Sequence, residues 1–191
     1  MNKFLYLLVP LPFFLVSLAQ IYYYKPLLPD QVTSQFDVKG NPAKDHSRSF
    51  ILIAYSLISF VLYTMFYFMD FLLSKFPKFI NLSHKDYWLD KTRFNSTRRQ
   101  LLKYFLFFSV SVQIFVVGIF QYIFWYNVKY SKKKPPHFKV IYYWIVMYII
   151  SQVLCVADWQ NRFAKVPDEI KNRKKRNKNN KKNIQEKPKK D

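Results

Sequence analysis

The sequence predicts an all-α integral membrane protein: a four-helix bundle with a short extracytoplasmic cap loop and a disordered basic C-terminal tail. Three observations predict it. Residues Phe4–Tyr24, Ser49–Met69, Tyr104–Val128 and Val140–Ala157 contain no charged side chain. As helices, apolar runs of about 18–25 residues match the roughly 30 Å hydrocarbon core of a bilayer. Aromatic residues also crowd these runs on every face, as in "YTMFYFMDF" and "IYYWIVMYII", which leaves no side for water. Finally, the 31 Lys and Arg residues, which give the chain a net charge of +20, collect between and after the runs.

These runs divide the chain. Residues 1–160 form the transmembrane domain, with helices at about 4–24, 49–72, 100–128 and 139–159, an outer loop at 25–48 and an inner loop at 74–99. Residues 161–191 form a polybasic cytoplasmic tail. Met1-Asn2-Lys3 and Ser17-Leu18-Ala19 have features of a cleaved signal peptide. The apolar character nevertheless continues through Gln20–Tyr24, whose tyrosines suit an interfacial belt, so the first run is read as a retained helix.

Each run carries one sparse polar stripe. The first has Ser17, Gln20 and Tyr24, and the second Ser56, Ser59 and Tyr63. The third has Ser109, Gln113 and Gln121, and the fourth Tyr148, Ser151 or Gln152, and Cys155. Spacing by three and four places such residues on one side of a helix. In lipid, hydroxyls and amides seek partners on neighbouring helices, so the stripes are expected to hold the bundle together. A polar path for a ligand is the alternative. Asp70 and Asp158 border the second and fourth runs, where Lys75 or Arg162 could pair with them.

With both termini and the middle loop inside, 22 basic residues lie on the inner side and 9 on the outer. The positive-inside rule therefore places the N- and C-termini in the cytoplasm of a multi-pass cell-membrane protein. The tail supplies much of that margin. Within it, Arg173, Lys174, Lys175 and Arg176, with Arg98, Arg99 and Lys103 before the third run, are expected to contact anionic lipid headgroups. The tail is too poor in apolar residues to fold. No RNA-binding motif accompanies it, so lipid is favoured over nucleic acid as its partner.

The outer loop contains "LPDQVTSQFDVKGNP". Gly40, one of only two glycines, supplies turn freedom, and Val32 and Phe36 are apolar anchors for an ordered cap over the bundle. The inner loop interleaves Ile80, Leu82, Tyr87, Trp88, Leu89 and Phe94 with basic residues, which suits a segment lying in the headgroup layer. Thr97 and Gln100 have capping-box spacing and are expected to start the third helix.

Leu28, Pro29, Val32, Phe36, Asp37, Gly40 and Pro42 match the loop pattern L-P-x-x-(I/V)-P-x-H-F-(N/D)-x-x-G-x-P-D. On these residues the chain resembles bacterial membrane proteins of domain-of-unknown-function family 1648, relatives of the Sdp-toxin immunity proteins. Asn81, Leu82, Lys85, Tyr87, Trp88 and Leu89 are similar to an N-L-P-N-K-x-Y-W-L stretch of its four-helix members. The two motifs and the helix between them cover roughly the first half of the chain. Thr33, Gln35 and Ala43 depart from the pattern, standing where it has proline, histidine and aspartate. A role that needs that histidine is therefore not carried over.

The chain lacks phosphate-binding glycine loops, H-E-x-x-H and G-x-S-x-G motifs and paired cysteines, and its two glutamates lie in the tail. No catalytic residue, metal site or cofactor is expected. The resemblance implies an immunity- or sensor-type protein that recognises an extracellular peptide or membrane-protein partner. A small transporter or channel accessory subunit is the alternative. Third comes a lipid-acting enzyme using Asp70, Asp86 or Asp90.

Overall fold

The computed structural model describes residues 8–37, 39–130 and 139–165. The first helix, α1 (Leu11–Tyr24), begins at prolines that suit a helix start and ends where Lys25 N–H reaches the Ile21 carbonyl just before Pro26. Two strands follow, β1 (Gln31–Phe36) and β2 (Pro42–Ser47), and then α2 (Arg48–Lys75). Ser47 caps α2 by accepting the Phe50 N–H. A 3₁₀ turn (Pro77–Phe79) and the four-residue α3 (Lys85–Trp88) lead to α4 (Phe94–Lys129) and α5 (Lys139–Ala164).

The protein is thus mostly helical, and α2, α4 and α5 are each long and apolar enough to cross a membrane. The described part of the first run has 14 helical residues and rises about 21 Å, short of a hydrocarbon core. The expected all-α architecture also needs a correction, because the cap is a β-hairpin. Gln31 faces Ser47, Val32 faces His46 and Thr33 faces Asp45 across antiparallel strands. Irregular register follows at Gln35 and Phe36, which bends the ribbon over the helices.

The helices α1, α2 and α4 pack on one another, while α5 rests principally on α4. Two apolar clusters hold the ends. At the hairpin end, Tyr24, Leu28, Val32, Ile51, Leu52, Tyr55, Ile123 and Phe124 are buried together. At the opposite end, Leu73, Leu82, Leu101 and Phe163 are covered by Ile80, Trp88 and Leu89. The inner-loop residues therefore pack against the helix ends. Leu82 and Tyr87 are buried, Trp88 donates its indole N–H to the Phe163 carbonyl (3.0 Å), and Arg93 lies over the Tyr87 ring. Asn81 is exposed, and Lys85 reaches the Lys78 carbonyl.

The start of α4 is also earlier than the capping-box spacing implies. The Asp90 carbonyl accepts the N–H groups of Arg93 and Phe94, while its carboxylate accepts the N–H and hydroxyl of Thr92. Those side-chain bonds from Thr92 hold the exposed Asp90 carboxyl below the usual carboxylate range. Thr97 is instead buried within the helix, and Gln100 binds Arg162.

The helices α4 and α5 are joined by a ladder repeating about every four residues. Gln152 donates to the Ser111 hydroxyl (2.7 Å), Tyr148 stacks on Phe115, and Trp144 lies against Gly118. A Cβ at Gly118 would stand 2.7 Å from the Trp144 indole nitrogen, so any larger residue must displace the Trp144 ring or α5 with it. Cysteines at Ser111 and Gln152, in a Cys155→Ser background, should cross-link readily. Adding Gly118→Leu should abolish that cross-link, and undiminished cross-linking would show that this contact does not set the α4–α5 spacing.

Candidate functional site

The most built part of the molecule is the junction of hairpin and helices. The backbone of β1 presents one edge to β2 and the other to α4. There Asn127 behaves like a further strand. Its Oδ1 accepts the Thr33 N–H (2.7 Å), and its Nδ2 donates to the Thr33 carbonyl (2.8 Å) and to Ile123 in its own helix (2.8 Å). Thr33 and Asn127 are both buried, so each backbone group they satisfy would otherwise be a buried orphan.

Side chains reinforce the clasp. Val32 is fully buried in the apolar cluster, and Phe36 packs edge-on against Tyr126 and Tyr122 of α4. Thr33 donates its hydroxyl to Asp45 (2.7 Å), and the Ser34 hydroxyl meets His46 Nδ1 (2.7 Å) across the strands. Arg48 closes the base, reaching the Leu28 carbonyl (3.0 Å) and the Asp30 carboxylate (3.0 Å).

The turn is built from Asp37 and Gly40. The Asp37 carboxylate accepts the N–H groups of Lys39 and Asn41 and the Asn41 side-chain amide. Gly40, at φ 83°, donates its N–H to the Asp37 carbonyl. These bonds, those from Asn41 foremost, hold the Asp37 carboxyl below its ordinary 3.8. The outer-loop motif is therefore structural in its details. Leu28 and Val32 anchor, Phe36 packs, and Asp37 and Gly40 turn the chain. Pro29 is half-buried ahead of β1, and Pro42 opens β2 opposite Phe36.

Beneath the hairpin a chain of polar side chains links three helices. Gln20 donates to Gln121 (2.8 Å) and accepts from the Tyr55 hydroxyl, and Gln121 donates to the Tyr24 hydroxyl (2.7 Å). Ser109 donates to the Leu62 carbonyl (3.1 Å). The polar stripes thus do join helices. Two buried members, however, are left over: neither amide atom of Gln113 nor the Ser59 hydroxyl has a hydrogen-bond partner among the described residues.

At the opposite end, Arg98 reaches the Asp70 carboxylate (2.5 Å) and is half-buried, which ties α4 to α2. The Asp70 partner is Arg98, 28 residues away, where Lys75 was the sequence-based candidate. Arg99 and Lys103 are exposed. Arg173, Lys174, Lys175 and Arg176 lie outside the described residues. Asp158 accepts from the Tyr104 hydroxyl (2.5 Å). Comparison with protein-family models, curated proteins and solved structures finds no match.

Residue order carries no signal for Asn127 as a partner of the loop, since its role depends on contacts 94 residues apart. Replacing Asn127 with Leu should destabilise the protein by about 2–4 kcal/mol by orphaning two backbone groups, measured by unfolding in detergent. Thr33→Pro, which removes the donor, should cost less in that background than alone. Because the Asp37 pKa is depressed, its stabilising effect is complete above the unfolded value of 3.8 and is lost as pH falls through the lower folded one. Hydrogen exchange at Asn41 should accelerate there, beyond the intrinsic trend, in the parent but not in Asp37→Asn.

Proposed function

We propose that the chain is a multi-pass membrane protein that recognises an extracellular peptide through its hairpin cap, as immunity- or sensor-type proteins do. Four helices would build the membrane domain, both termini would be cytoplasmic, and the cap would face outward. The observation that carries this reading is the asymmetry of the sheet. β1 is held between β2 and Asn127, whereas among the described residues β2 pairs only with β1 and three of its six residues are exposed. An extended peptide adding to such an edge gains main-chain hydrogen bonds, with side chains supplying selectivity. Ala43 and Lys44 on β2, and Gln35 beside them, are exposed and available for that selection.

The resemblance to family 1648 supports the same reading. Its matched positions hold the cap's shape, leaving the departures to set this chain apart. Where the pattern has proline, Thr33 supplies the N–H that Asn127 binds, a donor that proline lacks.

A transport or channel-accessory role is the second reading. It is favoured by the unpaired Gln113 amide and Ser59 hydroxyl within the helices. The lipid-acting enzyme gains less. Asp70 is engaged by Arg98, and Asp90 is engaged in the turn before α4.

Cells lacking the gene should become more sensitive to membrane-active peptide toxins, and restoring the gene should restore tolerance. Unchanged sensitivity across such a panel would sink the immunity reading. Cysteine at Lys39 should label from outside intact cells, whereas cysteine at Lys85 should not; the reverse pattern would invert the topology.

A further inference from the structure

We propose that the groove between α4 and α5, at the end opposite the hairpin, binds the headgroup of an anionic phospholipid. The groove encloses about 350 Å³. From α4 it takes Gln100, Lys103, Tyr104 and Phe107, which share one helix face by their spacing, and from α5 Cys155, Asp158 and Arg162.

Its charges fix the depth. Lys103 immediately precedes the uncharged run of α4, and Asp158 immediately follows that of α5, with Arg162 one turn further. Both apolar spans therefore stop at the level of this groove, where a bilayer changes from hydrocarbon to headgroup. Phe107 and Cys155 lie one turn deeper on the apolar side, with Phe107 half-exposed. A ligand here meets cations at one end and hydrocarbon at the other.

The cations remain available to a ligand. Among the described residues the ion pairs are Arg48–Asp30 and Arg98–Asp70, so neither Lys103 nor Arg162 is matched to a carboxylate. Arg162 is oriented by a neutral group, donating its Nε–H to Gln100 Oε1 (3.2 Å). The one acid in the groove, Asp158, accepts the Tyr104 hydroxyl at 2.5 Å. Two cations against one carboxylate favour an anion, and a phosphate between guanidinium and ammonium uses the donors that both supply. The apolar floor selects a phosphate carrying an acyl chain over a soluble one. This site rests on the chain spanning a bilayer, but not on peptide recognition or on which way the chain is inserted.

The full-length protein in mild detergent should retain phosphatidylglycerol over phosphatidylcholine when the two are presented together and bound lipid is counted by native mass spectrometry. Lys103→Ala with Arg162→Ala should lower that preference about thirtyfold, at about 1 kcal/mol per basic residue near the surface. Lys103→Arg with Arg162→Lys, which keeps the charge, should retain most of it and shows that the pair tolerates substitution. Lys39→Ala, in the exposed turn of the hairpin at the opposite end of the helices, should leave it unchanged. An undiminished preference in the double alanine variant would overturn the site. So would equal loss in a variant with Lys174 and Lys175 changed to Gln, which would transfer the effect to diffuse charge. Displacement of the lipid by an equal concentration of inorganic phosphate would show a soluble phosphate site, overturning the lipid assignment.

Discussion

A carboxamide at the hairpin end of α4 does the work of a missing strand. A two-stranded ribbon has two open edges and is marginal in isolation. Asn127 closes one of them by binding both the N–H and the carbonyl of Thr33, in a setting that water does not reach. The same amide also donates to Ile123 in its own helix, which orients the side chain toward the strand. The position of Val32 in the core, the packing of Phe36 on Tyr126 and the approach of Arg48 to Leu28 all follow from that register. Among the described residues no further strand pairs with the other edge, along β2.

The helices below are joined by a different logic. Apolar side chains gain little by leaving lipid for one another, so shape and polar contacts decide which faces meet. The chain of Gln20, Gln121, Tyr24 and Tyr55 fixes α1 and α2 on α4, while the Asp70–Arg98 pair ties the far end. On the other side of α4, Gly118 makes room for an indole and Ser111 receives Gln152. Large apolar side chains such as Ile53, Leu57, Met147 and Leu154 point away from all of this and remain exposed. That is the reverse of a water-soluble fold and suits hydrocarbon.

Much of this plan was readable from residue order alone. Uncharged runs located the three long helices because charge is costly in hydrocarbon, and a proline-bounded loop with Gly40 located the cap. The hairpin itself was not readable. Val32 and Thr33 are consecutive and both buried, so β1 lacks the alternation that marks a half-buried strand, and its second edge is satisfied from a distant helix. The Asp70–Arg98 pair was not readable because its members are 28 residues apart. The packing of the inner-loop aromatics was not readable either, because Leu73, Leu101 and Phe163, against which they lie, belong to three different helices. Gly118 carried a signal that could have been used: a lone glycine in an aromatic-rich run marks a place where something large comes close.

The separation between Thr33 and Asn127 also has a meaning in time. A chain is made from its N-terminus, so the strand emerges 94 residues before the amide that closes its edge. Gln20 likewise waits 101 residues for Gln121. Until α4 has been synthesised and inserted, the cap has one partner fewer and the first helix has an amide without its mate. The cap is therefore among the last parts of the first half to be secured, although it is among the first to be made.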